Sequence, residues 1–128
     1  MENKKTKILA VEDEEVSLEL LVLRLENEGY EVITAGDGEE GLKLAREEKP
    51  GLILMDLMLP KLDGFRACRM LKFDNRYKHI PVIMLTALAE EKDIDLGGAV
   101  GADDYITKPF DWNSLHDKIT KLLKKRNK

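Results

Sequence analysis

Cysteine is almost absent from this chain of 128 residues: Cys68 has no second thiol to pair with, so an internal disulfide is excluded. The two histidines, His79 and His116, are isolated, and no Cys/His pair has the spacing of a zinc site. Both read as surface or packing residues, and Cys68 reads as a small buried apolar group. Aromatic residues amount to 5%, and the four prolines are not gathered into a linker. No apolar run approaches the ~20 residues of a membrane-spanning helix, and Met1 to Lys7 is charged where a signal peptide would be apolar. A basic surplus is missing too. With 21 Lys and Arg against 25 Asp and Glu, the formal net charge is −4, which argues against direct nucleic-acid binding. These absences lead us to expect a cytoplasmic, membrane-free, soluble domain.

What is present is 43% hydrophobic and 36% charged residues, enough to bury one core and keep it dissolved. One domain is expected over residues 6–124, between a flexible N-terminal segment at 1–5 and a basic tail at 125–128. Lys7 to Val11 and Tyr30 to Ala35 read as strands, Leu52 to Met55 and Ile80 to Leu85 as strands covered on both faces, and Asp104 to Thr107 as a shorter fifth. Helical spacing recurs between them. Val16, Leu20, Leu21, Leu23 and Leu25 form one set, Gly41, Leu42 and Ala45 a second, Phe65, Cys68 and Leu71 a third, and Leu115, Ile119, Leu122 and Leu123 the last. Such alternation predicts an α/β fold with a parallel, doubly wound sheet. Its working site would lie at the carboxyl ends of the strands.

At those ends stand Glu12 and Asp13, then Asp56, then Thr86, then Lys108 and Pro109. Three carboxylates at one edge repel one another unless a cation offsets them, and hard oxygen ligands suit Mg²⁺. A hydroxyl and an ammonium opposite them suit the oxygens of a phosphoryl group. Asp56, at the end of the most apolar strand, is the candidate nucleophile, with Glu12 and Asp13 as metal holders. The bland alternative is that such acids cap the helices that follow.

The segments ILAVEDE at 8–14, LILMDLMLPKLDG at 52–64, VIMLTA at 82–87 and GADDYITKPF at 101–110 resemble the receiver domain of two-component response regulators, over about Thr6 to Leu123. The resemblance implies a flavodoxin-like, five-stranded sheet in the order 2-1-3-4-5 with five helices. It implies that Asp56 accepts a phosphoryl group from a histidine kinase or phosphotransfer protein. Asp13, Asp56 and the backbone carbonyl of Met58 would hold Mg²⁺, with Glu12 reaching the ion through water. Thr86 and Lys108 would bind the phosphoryl oxygens, Thr86 and Tyr105 would switch, and Lys108–Pro109 would be a cis peptide. The output would be a shape change on the fourth helix, fifth strand and fifth helix, roughly Ala89 to Lys125, controlling a partner or output domain. It would catalyse only its own phosphorylation and dephosphorylation, and a phosphorylation-dependent homodimer is compatible with it.

Some residues depart from that pattern or are left unused by it. Gly97 and Gly98 fall where the fourth helix is expected and would soften it. Met58 and Leu88 are apolar at positions bordering the path of a hydrolysing water, which predicts a long-lived phosphoaspartate. Asp111 is the expected cap of the last helix, and Trp112 packs over the neighbouring loop or stands exposed for a partner. A haloacid-dehalogenase-like phosphatase would carry Asp where Met58 stands. A flavodoxin-like electron carrier would not place EDEEVS (12–17) in its first loop.

Overall fold

The structure, a computed structural model, describes residues 5–87 and 101–126. Five strands, β1 (Lys7–Val11), β2 (Glu31–Ala35), β3 (Leu52–Asp56), β4 (Val82–Thr86) and β5 (Asp104–Thr107), pair in parallel in the order β2-β1-β3-β4-β5. The register places Leu54 beside Ala10 on one side and Ile83 on the other, and carries Asp56 level with Leu85. Four helices are described: α1 (Glu15–Asn27), α2 (Gly38–Glu48), α3 (Gly64–Lys72) and α4 (Trp112–Arg126). The helix expected between β4 and β5, with Gly97 and Gly98, lies outside the described residues, as does Leu88.

β3 and β4 are buried along their whole length because each face of the sheet has its own helical cover. On one side Ile53, Met55, Val82 and Met84 meet Leu42 and Ala45 of α2 and Ala67, Cys68 and Leu71 of α3. On the other, Leu52, Leu54, Ile83 and Leu85 meet Leu21 and Leu25 of α1 and Leu115 and Ile119 of α4. Each fully buried Leu or Ile adds roughly 1.5–3 kcal/mol relative to an exposed one.

Strand ends shift by one or two residues from the sequence reading, and one helix face is covered less than expected. β4 begins at Val82, since Tyr77, Asp74 and Ile80 are tied into a turn by main-chain bonds and Pro81 has no N–H to give a ladder. In α1 only Leu21 and Leu25 of the expected set are buried, whereas Val16, Leu20 and Leu23 are more than half exposed. Its apolar stripe is wider than the core it covers.

Caps explain where the helices start. Glu14, Asp37 and Asp63 each accept a hydrogen bond from the main-chain N–H three residues on, those of Ser17, Glu40 and Arg66. Asp111 does the same for Ser114 at 3.3 Å. Trp112 is half-buried against the α1–α4 layer, with its ring 5.7 Å from that of His116.

Candidate functional site

The capping positions separate two readings of the strand-end acids. Capping falls to Glu14, Asp37 and Asp63, so neither Asp13 nor Asp56 is the N-cap of the helix that follows it. Instead Glu12, Asp13 and Asp56 converge, each offering a carboxylate oxygen within 4.8 Å of the others. Glu12 and Asp56 are buried and Asp13 is exposed. That gives the cluster two anchored members and one open to solvent.

The local backbone makes this convergence. β1 delivers Glu12, whose N–H is held by the carbonyl of Ala35 at 3.1 Å. β3 delivers Asp56, and the chain then turns at once, with the Leu57 N–H on the Leu85 carbonyl (2.9 Å) and the Gly64 N–H on the Leu57 carbonyl (3.0 Å). A side chain at Gly64 would place its Cβ 2.2 Å from the Asp56 carbonyl oxygen, so only glycine lets α3 begin this close beneath the acid. β5 delivers Lys108, whose N–H bonds the Thr86 carbonyl at 2.6 Å, and the Lys108–Pro109 bond is cis.

Lys108 Nζ donates to Glu12 Oε1 at 2.5 Å and to Asp56 Oδ2 at 2.8 Å. Asp56 Oδ1 accepts from the Met58 N–H at 3.0 Å. Burial and the neighbouring Asp56 raise Glu12 to about 7 despite Lys108. Burial pushes Asp56 upward as well, but hydrogen bonds from the Glu12 carboxyl, Lys108 and the Met58 N–H outweigh it and hold Asp56 below the ordinary carboxylate range. Lys108 is raised, since its two carboxylate partners exceed the cost of its burial. One ammonium faces two buried carboxylates and a third at the surface, and burial together with this imbalance is what pushes the Glu12 carboxyl upward.

The donor set is what a small hard cation takes: carboxylate oxygens from Glu12, Asp13 and Asp56, with a solvent-facing side left for water. The cluster contains neither a sulfur nor an imidazole donor. A divalent cation would supply the positive charge that Lys108 alone does not, so these residues fit Mg²⁺.

Thr86 is buried at the end of β4, beside Lys108 through its carbonyl. Tyr105 is half-buried in β5, packed against the α2–α3 layer and level with Met84. Lys118 of α4 binds Asp104 at 3.1 Å, joining the last helix to β5. His79 is exposed, and His116 faces Glu28 at 3.4 Å. Cys68 is fully buried, which raises its thiol to about 12.

Sequence reasoning did not find the double bridge made by Lys108 or the part played by Gly64. The Asp63-Gly64 pair was the available signal, an acid that caps followed by a residue without a side chain. A cavity of about 630 Å³ beside Lys108, between α1 and the start of α4 and lined by Leu20, Leu21, Arg24, Phe110 and Trp112, was not legible either.

The model of the response regulator receiver domain family matches residues 8–120. The chain belongs to this family. It is similar to the alkaline phosphatase synthesis transcriptional regulatory protein PhoP of Bacillus subtilis, at 50% identity over 93% of this chain and 49% of that one. The chain spans about half the length of the curated relatives it matches. A receiver domain protein of Methanospirillum hungatei shares 31% identity with a TM-score of 0.90, covering 97% of this chain and 98% of that one. The receiver domain of the sensor histidine kinase PA1611 from Pseudomonas aeruginosa, solved with magnesium coordinated in its active site cleft, shares 32% identity with a TM-score of 0.87, covering 94% of this receiver and 98% of that chain.

Proposed function

We propose that residues 6–124 act as a phosphorylation-driven switch in which Asp56 takes a phosphoryl group from a phosphohistidine on a sensor histidine kinase or phosphotransfer protein. The observation that carries this reading is Asp56 itself: buried, held ionised by Lys108 at 2.8 Å, and within 4.8 Å of two further carboxylates fit for Mg²⁺. A carboxylate kept anionic out of water is a nucleophile, and transfer through a loose transition state asks mainly for positioning and charge neutralisation.

In the step, an Asp56 carboxylate oxygen forms a bond to phosphorus as the phosphorus–nitrogen bond of the donor breaks, and the leaving imidazole keeps the electron pair and takes up a proton. Lys108 exchanges its contact with Asp56 for one with a phosphoryl oxygen. Glu12, Asp13, Asp56 and the Met58 carbonyl would hold Mg²⁺, which when bound offsets the negative charge of the incoming group. Thr86 supplies a hydroxyl from the end of β4, and its movement together with Tyr105 alters the face that includes β5 and α4. Through that face the domain controls a partner or an output domain; the B. subtilis relative is a transcriptional regulator, and control of such an output in the cytoplasm is the role we assign. The domain turns over no substrate beyond its own phosphoryl group.

Intact mass after incubation with Mg²⁺ and acetyl phosphate tests the chemistry, beside Asp56→Asn and a chelator control. A gain of one phosphoryl group that needs both Asp56 and the metal is expected. No gain with any donor, with Mg²⁺ binding shown separately, would sink the reading. Met58→Asn, which introduces a side chain able to orient water, should shorten the lifetime of the phosphorylated mass, and an unchanged decay would count against the apolar-barrier argument.

A further inference from the structure

Two non-glycine residues hold a positive φ among the described residues, Lys49 at 45° and Lys61 at 67°. Lys49 ends α2, where a left-handed residue is common. Lys61 is different. It is the centre of a three-residue turn closed by the Leu62 N–H on the Pro60 carbonyl at 2.8 Å, and with positive φ such a turn is the rare, strained form. Strain of this kind persists only where the surroundings hold it. The turn lies in the segment 57–63 that joins β3, and so Asp56, to α3.

The holder is the start of α2. Gly38 donates its N–H to the Pro60 carbonyl at 3.4 Å, Asp37 Oδ2 lies 3.6 Å from Lys61 Nζ, and a Cβ on Gly38 would collide with the Leu62 carbonyl oxygen. Helix and loop thus meet backbone to backbone. Asp37 keeps that end of the helix wound, since its other oxygen caps the Glu40 N–H at 2.8 Å. The same loop begins at the acidic cluster, where Met58 gives its N–H to Asp56 Oδ1 at 3.0 Å while its side chain, 65% exposed, anchors nothing. Leu57 and Leu59 are buried on either side of it. Apolar burial fixes where the chain runs but has no direction, so the tilt of the Met58 peptides is left to the hydrogen bonds at the two ends of the loop.

We propose that Asp37 and Gly38, at the start of α2, are positioning residues for Met58: they hold the strained Pro60–Lys61–Leu62 turn, and so keep the Met58 N–H on Asp56 and the Met58 carbonyl at the cation cluster. The Lys61 ion pair adds little, as exposed pairs do, and the main-chain contact of Gly38 does the holding. When α2 is displaced the turn relaxes, Met58 swings away from Asp56, and the cation loses an oriented ligand. The part given to the Met58 carbonyl rests on the reading of Asp56 above, whereas the hold on the Met58 N–H does not. Asp37 and Gly38 act through Met58 and take no part in the transfer itself.

Two readouts on the ¹⁵N-labelled chain test this: hydrogen exchange of the Met58 amide in EDTA, taken relative to that of Leu54 within β3, and Mg²⁺ affinity from the amide shifts of Asp13 and Asp56. Gly38→Ala, which forces α2 off the loop, should speed the relative exchange of Met58 and weaken Mg²⁺ about tenfold, the lower end of what a lost supporting contact costs a metal site. Asp37→Ala, which frays the first turn of α2, should act in the same direction even if Gly38→Ala does not fold. Asp37→Asn, a good cap, should restore both readouts. Gly101→Ala, strained at φ 84° and set against Lys72 rather than this loop, should lose stability with both readouts unchanged. Natural exchange and natural affinity in the folded variants would overturn the proposal, as would an equal weakening by Gly101→Ala. If the natural chain binds no Mg²⁺ at these residues, the reading of the cluster fails instead, and the exchange of Met58 alone decides whether α2 holds the loop.

Discussion

Glu12 makes the metal-free protein unstable toward alkali in a measurable way. Its carboxyl is raised from an ordinary 4.5 to about 7 because it is buried beside Asp56. The native state therefore keeps the Glu12 proton over a range in which the unfolded chain has lost it. The contribution of Glu12 to stability is full below 4.5, falls as pH rises toward 7, and stays lost above. A displacement of roughly 2.5 pH units at 1.36 kcal/mol each amounts to at most about 3 kcal/mol. Glu12→Gln keeps the shape and an oxygen for Lys108 to bond but cannot ionise. Urea unfolding in EDTA, followed by Trp112 fluorescence, should show the variant gaining on the natural chain by up to about 3 kcal/mol between roughly pH 5 and pH 8. Saturating Mg²⁺ should shrink the difference, because the cation favours ionised Glu12. Parallel stability curves for the two proteins in EDTA would refute the assignment of the proton to Glu12.

Other consequences are as open to measurement. Lys108→Met removes the ammonium that helps hold Asp56 acidic, so its carboxyl should rise, read by carbon NMR titration; an unmoved Asp56 would show that the Glu12 carboxyl and the Met58 N–H suffice. Gly38→Ala would set a Cβ 1.5 Å from the Leu62 carbonyl oxygen and should cost more than about 2 kcal/mol, whereas Gly36→Ala, with nothing within 4 Å, should stay within about 0.5 kcal/mol. Cys68, buried and raised to about 12, should react with a thiol reagent at neutral pH only as fast as the chain opens, and prompt labelling of the native protein would contradict its burial.

The order of strands and helices was legible because each local pattern agrees with the architecture. β1 and β5 lie where their short runs were read in the sequence, and the spacing of Phe65, Cys68 and Leu71 placed α3. The cluster of Glu12, Asp13 and Asp56 was readable because parallel strands deliver their C-terminal residues to one edge. Which acids cap and which converge was not readable. Glu14 follows Asp13 directly, and only the φ and ψ of the turn decide that Glu14 caps and Asp13 does not. The exposure of Val16, Leu20 and Leu23 was hidden for a related reason, since helical spacing shows that residues share a face and not that a neighbour covers it.

β3 reads Leu52, Ile53, Leu54, Met55, with alternate residues feeding opposite layers of the molecule. In a strand wetted on one face, a slip of one position would throw greasy side chains into water, and alternation alone guards against the error. Here a slip would exchange one apolar set for another, so hydrophobicity is almost blind to it. What would notice is the strand's polar end. Moving Asp56 by one place would strand Lys108 and Glu12, put a leucine or methionine among them, and bring α3 against a carbonyl that only Gly64 now clears. The residue assigned the chemistry is thus also the ratchet pawl of the central strand. Substitutions made at Asp56 to test the proposed phosphorylation are therefore expected to act on folding fidelity as well.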